Sequence, residues 1–166
     1  MTSNQSVDPR PSRELEAEAV DAVEGFCREL IGHMGIKADL NIREEGRVVF
    51  INLSGPDRPV LLANTAAVLN SLEYLVNKAF RTGKDEEIAT IVFDSDNYRQ
   101  YREAELKLLA QIASEKVLSQ RRPLNLQPMS PRERRIVHLA LAAIPGVRSQ
   151  SDGEGDQRSI TIFPAG

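Results

Sequence analysis

Apolar residues recur every three or four positions in several segments, which is the spacing of one face of an α-helix. The first segment begins near Ser12 and ends at Gly35, and its apolar stripe consists of Val20, Val23, Phe26, Cys27, Leu30, Ile31 and Met34. The second ends before Gly83, and its stripe consists of Val68, Leu69, Leu72, Leu75, Val76, Ala79 and Phe80. A short apolar turn at residues 60–62 precedes this stripe. The pattern predicts one N-terminal helix, then a short helix followed by a long one.

Three runs in the same part of the chain have the composition of β-strands. Leu40 and Ile42 alternate with polar neighbours, and residues 48–53 are rich in β-branched side chains. Residues 88–93 are continuously apolar except for one threonine, which is typical of a buried strand. The predicted order is therefore helix, strand, strand, short helix, helix, strand.

The C-terminal part predicts a second set of elements. A helix is expected at residues 97–120, with Leu106, Leu109, Ile112, Ala113 and Val117 on its inner side. A short strand is expected at residues 124–127. Two further strands, at residues 147–149 and 160–163, are expected to pair as a hairpin.

A capping box predicts where the last helix begins. Ser130 stands three residues before Glu133, and Pro131 occupies the first helical position between them. The helix is expected to end at Pro145, and its inward-facing residues are expected to be Ile136, Val137, Ala140 and Leu141.

These elements predict an α+β protein with two small α/β sandwich domains. Residues 13–96 form the first predicted domain and residues 97–166 the second. Residues 1–12 are polar and proline-containing, and they are expected to be a disordered tail.

The charges are distributed unevenly between the two halves. Residues 1–98 contain 10 Lys and Arg against 17 Asp and Glu, whereas residues 99–166 contain 11 against 7. A basic C-terminal half indicates contact with a polyanion, although a solvated helix face would have the same composition. Cys27 is the single cysteine, which favours a reducing, cytoplasmic setting. No apolar run reaches the roughly 20 residues of a membrane span.

The most specific constellation lies in the last predicted helix. Arg134 and His138 are four positions apart, so they share one helix face. A helix N-terminus attracts phosphate, an arginine fork matches phosphate oxygens, and a histidine can donate to phosphate or stack on a base. The alternative is structural: Arg134 would pair with a local acid and His138 would be a satisfied rim residue.

Three segments together resemble a known domain. They are Met-Ser-Pro-Arg-Glu-Arg-Arg-Ile-Val-His at 129–138, Pro-Gly-Val-Arg-Ser-Gln-Ser-Asp-Gly at 145–153 and Arg-Ser-Ile-Thr-Ile at 158–162. They closely resemble the R-three-H domain, which is named for its Arg-x-x-x-His pair. The resemblance implies binding of single-stranded nucleic acid through Arg134 and His138. The neighbours it implies for the site are Arg135, Ser151 and Arg158.

The segment Phe93-Asp94-x-x-Asn97-Tyr98-Arg99-x-x-Arg102 resembles the start of that domain in one bacterial family. This is the Jag family, also called SpoIIIJ-associated protein, KhpB or EloR, and the resemblance covers about residues 13–164. Its members place a type II KH domain directly before the R-three-H domain. The resemblance therefore implies a KH type II-like fold for residues 13–96.

The KH half departs from its pattern at the loop that binds nucleic acid. A KH domain clamps the backbone with a GxxG loop between two helices. This chain has Ala63-Asn64-Thr65-Ala66 there, without either glycine and without a positive charge. The clamp is therefore expected to be lost or much weakened, whereas the residues that carry the fold remain: Leu69, Leu72, Tyr74 and Leu75.

Two functions remain open. The first is a regulatory protein that binds single-stranded RNA, or DNA, mainly through residues 97–166. The second is an interaction module in which the degenerate KH half docks a second KH protein or its own copy. An enzyme is not expected, because His33 and His138 fall in different predicted domains and no nucleophile elbow or phosphate-binding glycine loop is present. No metal or cofactor is expected either.

Overall fold

A computed structural model describes residues 17–80 and 90–165, and the chain divides into two compact units, Met1–Asp96 and Asn97–Gly166. Each unit combines helices with one three-stranded sheet, which confirms the predicted α+β fold class. The predicted tail, residues 1–12, and the predicted helix start at Ser12 lie outside the described residues. So do Gly83 and the first two residues of the strand predicted at 88–93.

The first unit has the predicted order of elements. They are α1 (Ala17–His33), β1 (Asp39–Glu45), β2 (Val48–Ser54), α2 (Arg58–Phe80) and β3 (Thr90–Asp94). The strand β2 lies in the centre of the sheet, antiparallel to β1 and parallel to β3. The connection from β2 to β3 contains α2, as a parallel pair requires a long crossover.

The core of the first unit lies between one face of the sheet and the helices. Its strand residues are Val49, Ile51, Leu53, Ile91 and Phe93, and its helix residues are Val23, Cys27, Ile31, Leu61, Ala66, Leu69, Leu72 and Val76. Burial, together with nearby Glu24, raises the pKa of the Cys27 thiol to about 12. The thiol is therefore protonated at neutral pH and acts as a small apolar side chain.

The predicted apolar stripes of α1 and α2 were too wide. Leu75 of the α2 stripe is 49% exposed. Tyr74, which was expected with Leu75 to carry the KH fold, is 67% exposed, so neither residue belongs to the buried core in this chain. Met34 is also exposed, and Phe26 packs edge-to-face against Phe80 at the surface, with ring centroids 5.5 Å apart. A stripe assigned from hydrophobicity alone includes residues at its margins, which face solvent here.

The helix α2 is broken where the sequence predicted a short helix followed by a long one. Ala63 is extended (ψ 151°), and Asn64, Thr65 and Ala66 all have left-handed backbone, with φ of 50°, 60° and 59°. By length and composition, α2 is the one helix among the described residues that could cross a membrane. Its break and its buried face instead make it a core element of this unit.

The second unit is built from five regular elements and one turn of 3-10 helix. They are α3 (Tyr98–Gln120), β4 (Leu124–Asn125), α4 (Pro131–Ala142), β5 (Val147–Asp152), the 3-10 turn (Gly155–Gln157) and β6 (Ser159–Pro164). The strand β6 lies in the centre of an antiparallel sheet, with β4 and β5 at its two edges. The strand β4 is shorter than the predicted 124–127.

Both helices of this unit pack on one face of its sheet. The buried residues are Leu106, Ala110, Ala113, Val117, Val137, Leu141, Ile160 and Ile162, with Leu126 and Met129 at the margin. The prediction for α3 was partly wrong, because Leu109 is 39% exposed and Ile112 57% exposed. On α4, Ile136 and Ala140 are only partly buried beside this core.

Candidate nucleic-acid interface

The predicted capping box fixes the start of α4. The Ser130 hydroxyl accepts a hydrogen bond from the Glu133 backbone N–H (3.3 Å), and the Glu133 carboxylate accepts one from the Ser130 N–H (2.9 Å). Pro131 occupies the first turn, as predicted. The helix therefore begins at a defined residue, which sets the direction of every side chain that follows.

A buried ion pair joins the start of α4 to α3. Glu133 is buried, and its Oε1 accepts a hydrogen bond from Arg102 Nε at 2.7 Å. Burial acts to lower the pKa of Arg102, but hydrogen bonds to Glu133 and Glu105 raise it above the usual arginine value. A carboxylate thus already occupies the N-terminal end of α4, where the sequence pattern predicted that helix N–H groups attract phosphate. The side chains, rather than the N–H groups at the start of α4, must therefore attract an anion.

Arg134 is held against the backbone that precedes the helix. Its Nη1 donates a hydrogen bond to the carbonyl oxygen of Met129 at 2.9 Å, and the side chain is half-buried. Met129 N–H in turn donates to the carbonyl oxygen of Arg158 (3.2 Å). A guanidinium group has five N–H donors, so this anchoring leaves further donors for an anion. No local acid pairs with Arg134 among the described residues.

His138 is fixed from the other side, by the neighbouring strand. Its Nδ1 lies 2.8 Å from Oγ of Ser149 on β5. Burial, and then the positive charge of Arg134, lower the pKa of His138 below its ordinary value. The ring is therefore neutral at pH 7, and its Nε2 is left for a ligand.

Ser151 and Arg158 complete the arrangement. Arg158 Nε donates a hydrogen bond to Ser151 Oγ at 3.1 Å, across the turn that joins β5 to β6. Ser149 and Ser151 are two positions apart on β5, so they share the face of the sheet on which α4 packs. The arginine and the hydroxyl lie at one end of that face.

These contacts form two groups, here together called the basic cluster: Arg134, His138, Ser149, Ser151 and Arg158. Arg134 is bonded to Met129, Met129 to Arg158, and Arg158 to Ser151, while Ser149 is bonded to His138. The positive charge of Arg134 acts on His138 and so links the two groups, which contain four of the five predicted site residues. The fifth, Arg135, is exposed on α4 next to Arg134 and has no recorded contact with the others among the described residues.

Three residues that hold the cluster or the start of α4 were not predicted as contributors from the sequence: Ser149, Arg102 and Met129. Ser149 lies eleven positions from His138 and Arg102 lies 31 from Glu133, so both contacts depend on the tertiary fold. Met129 contributes only backbone atoms, which no residue type reveals. Within the described residues, no group of three or more His, Cys, Asp or Glu side chains could hold a metal ion.

Comparison with protein families matches residues 104–164 to the R-three-H domain. Residues 104–164, most of the second unit, are therefore similar to an R-three-H domain. The matched range includes α4, the hairpin and every residue of the basic cluster. Arg134 and His138, the Arg-x-x-x-His residues on one face of α4, lie within the matched range.

Relatives extend the likeness beyond the R-three-H domain and confirm the predicted relationship with the Jag family. The chain is 32% identical over 139 residues to a protein of Clostridium symbiosum named RNA-binding protein KhpB, covering 82% of this chain and 62% of that protein. Proteins of the same name from Lactiplantibacillus plantarum and Bacillus subtilis are 26% and 28% identical, with 98% and 76% of this chain covered. The chain spans 52% and 61% of those two proteins.

Proposed function

We propose that this protein binds single-stranded nucleic acid, in particular RNA, and that it does so mainly through residues 97–166. In this proposal Arg134 and Arg158 contact phosphate, His138 contacts phosphate or a base, and Arg135 and Ser151 lie beside them. The protein is a binding protein rather than an enzyme. The match to the R-three-H domain and the name shared by its relatives, RNA-binding protein, support the proposal.

The proposal rests on the hydrogen bonds that hold Arg134 and His138 in place. Arg134 and His138 each have one polar atom held by the fold, by Met129 and by Ser149. A side chain fixed in this way loses little conformational entropy when it binds a ligand. The half-buried positions also reduce solvent screening of the contact. An arginine and a neutral histidine so placed suit a phosphate and its adjoining nucleotide.

The charges outside the cluster support the same assignment. The one acid at the start of α4, Glu133, is buried and paired with Arg102. Asp152 is exposed on the opposite face of β5, where its carboxylate accepts a hydrogen bond from Gln150. The surface carrying Arg134 therefore keeps its positive charge. A reducing, cytoplasmic setting, inferred from the single cysteine, fits an RNA ligand.

A salt series tests the proposal directly. We expect Arg134→Ala to weaken binding of a single-stranded RNA by about 1–3 kcal/mol, the range for hydrogen bonds to charged groups. Loss of one phosphate contact should also flatten the slope of log K against log salt by about 0.7. The measurement is a titration at several salt concentrations with single-stranded RNA, single-stranded DNA and duplex.

Arg28→Ala is the matched control, because Arg28 is an exposed arginine in the first unit whose ion-pair partner among the described residues is Glu24 on its own helix. We expect it to leave affinity and slope unchanged. Equal slopes and affinities for wild type and Arg134→Ala, with equal thermal stability, would remove Arg134 from the site. Equal losses from both arginines would mean that binding depends on net charge alone.

A second role for the first unit is favoured by two observations. Tyr74 and Leu75 expose large apolar surfaces on α2, and the KH-type loop Ala63–Ala66 carries no positive charge. We infer that these residues dock a second KH-type protein or a second copy of this chain. Tyr74→Ser should then abolish any concentration-dependent dimer seen by sedimentation while leaving RNA affinity unchanged.

A further inference from the structure

The strand β5 has a second, outward-facing side. Successive residues of a strand point to opposite faces, so Arg148 and Gln150 lie on the face away from Ser149 and Ser151. On that outer face Arg148 lies opposite Phe163 of β6 in the register of the hairpin. The Arg148 Cζ atom is 4.3 Å from the centroid of the Phe163 ring.

This face is open to solvent. The helices α3 and α4 pack on the inner face, against Ile160 and Ile162. On the outer face Arg148 and Gln150 are exposed, and Phe163 is half-buried beneath Arg148. The Arg148 guanidinium thus lies over the ring and remains exposed to solvent.

We infer that Arg148, supported by Phe163, is a stacking platform for a nucleobase of the strand whose phosphates contact the basic cluster. This inference rests on the proposed function and adds a base-binding site to it. Bases stack on arginine planes and on aromatic rings, and such stacking tolerates any base sequence because every base has a π-face. The positive charge of Arg148 also suits a polyanion.

The position of β5 connects the two sites. It is an edge strand, so no further strand of the described sheet separates its inner face from its outer face. Arg148 and Ser149 are consecutive residues, with a rise of about 3.3 Å along the strand. A single strand whose phosphate contacts Arg134 or His138 can therefore pass over this edge and place a base on Arg148. A duplex has its bases stacked internally and cannot do so.

The competing explanation is that Arg148 only shields Phe163 from water. The first unit contains a pair suited to separate these explanations, because Arg43 lies over Phe50 with its Cζ 4.9 Å from the ring centroid. Both pairs join an exposed arginine to a half-buried phenylalanine across two strands. Only Arg148 is next to the basic cluster in the chain.

The test uses the full chain and two probes: a single-stranded RNA of about 12 nucleotides, within the usual site sizes for single strands, and an abasic sugar-phosphate strand of the same length. Arg148→Lys keeps the charge but removes the planar group. We expect it to bind the RNA about fivefold more weakly, the lower end of the range for a lost stacked base. Its affinity for the abasic strand and its salt slope should stay unchanged. Arg43→Lys should change neither affinity.

A fluorescent readout tests stacking itself. A 2-aminopurine base in the RNA should be quenched on binding to wild type, and this quenching should be lost in Arg148→Lys. Phe163→Leu, with its fold checked by thermal melting, should behave like Arg148→Lys.

The platform is ruled out if Arg148→Lys binds the RNA as wild type does, or if it loses affinity for both strands equally, which would indicate a phosphate contact. The proposed function fails separately, if the wild type binds neither strand or if Arg134→Ala binds both as tightly as wild type.

Discussion

The Nδ1 atom of His138 lies 2.8 Å from the hydroxyl oxygen of Ser149, although the two residues belong to different elements. The helix α4 presents the ring and the edge strand β5 supplies the hydroxyl. The contact fixes the orientation of the ring and leaves Nε2 as the atom that can meet a ligand. Ser149, which lies outside the Arg-x-x-x-His pattern, thus sets the orientation of the histidine ring in that pattern.

Replacing Ser149 tests this control. We expect Ser149→Ala to destabilise the protein by about 1 kcal/mol, the usual net value of one hydrogen bond, and to weaken RNA binding because the ring is no longer held. Ser149→Thr keeps a hydroxyl and should bind as wild type does. Thermal melts and RNA titrations measure both effects. Ser119→Ala, which removes an exposed hydroxyl from α3, is the control and should leave binding unchanged.

The lowered pKa of His138 predicts two opposite pH effects. In the free protein, burial and Arg134 disfavour the charged ring, so the unfolded chain binds a proton more readily. The stability contributed by neutral His138 is present above the unfolded-state value of about 6.5 and is lost as the pH falls through the lower folded-state pKa. A bound phosphate favours the imidazolium, so RNA affinity should instead rise as the pH falls through the same window. The rise cannot exceed about tenfold per pH unit for one proton.

His138→Gln should remove most of both pH effects, whereas His33→Gln should preserve them. His33 is the matched control because it is exposed on α1 and its Nδ1 contacts only the carbonyl oxygen of Glu29. Binding titrations and chemical denaturation between about pH 5.5 and pH 7.5, a window around the unperturbed histidine pKa, give the two profiles. If His138→Gln kept the wild-type rise in affinity at low pH, another group would be the one that takes up the proton.

The order of elements could be predicted because it depends on local signals. Ser130 and Glu133 predict a helix start through their spacing of three, and Gly35, where the first helix was predicted to end, has a positive φ. The inner face of α3 could not be predicted fully, because Ile112 is apolar and yet exposed. Its burial depends on which side of the helix meets the sheet.

The site was only half predictable for a related reason. Arg134 and His138 are one helical turn apart, so their neighbourhood follows from the sequence. Ser149 reaches His138 only because the edge strand β5 lies beside α4. The left-handed backbone of Thr65 could not be predicted from the sequence either, because a β-branched residue rarely adopts that conformation.

The ion pair between Glu133 and Arg102 predicts a large stability effect. Glu133→Ala removes the capping carboxylate and leaves Arg102, which is 28% exposed, without its main partner. We expect a loss of about 3 kcal/mol, the lower value for breaking a buried pair. Glu133→Gln can still cap the helix and should lose less. Chemical denaturation gives the free energies of unfolding.

Glu105→Gln is the control for this experiment, because Glu105 contacts the same Arg102 but is 66% exposed. An exposed pair contributes about 1 kcal/mol or less, so this variant should be nearly as stable as wild type. If Glu105→Gln and Glu133→Ala were destabilised equally, burial of Glu133 would not be what makes its pair important.

The last prediction concerns Thr65, one of three consecutive left-handed residues without a glycine. A left-handed backbone costs an L-residue about 1–2 kcal/mol, and glycine avoids this cost but loses about 0.5–1 kcal/mol through its freer unfolded chain. Thr65→Gly should therefore stabilise the protein by up to about 1 kcal/mol. The substitution keeps the carbonyl oxygen that accepts a hydrogen bond from Asn70. Ala67→Gly, at an exposed helical position two residues later, should instead destabilise by about 1 kcal/mol. Denaturation midpoints of the two variants must then move in opposite directions, and a loss of stability in both would mean that the loop does not hold Thr65 in a left-handed conformation in solution.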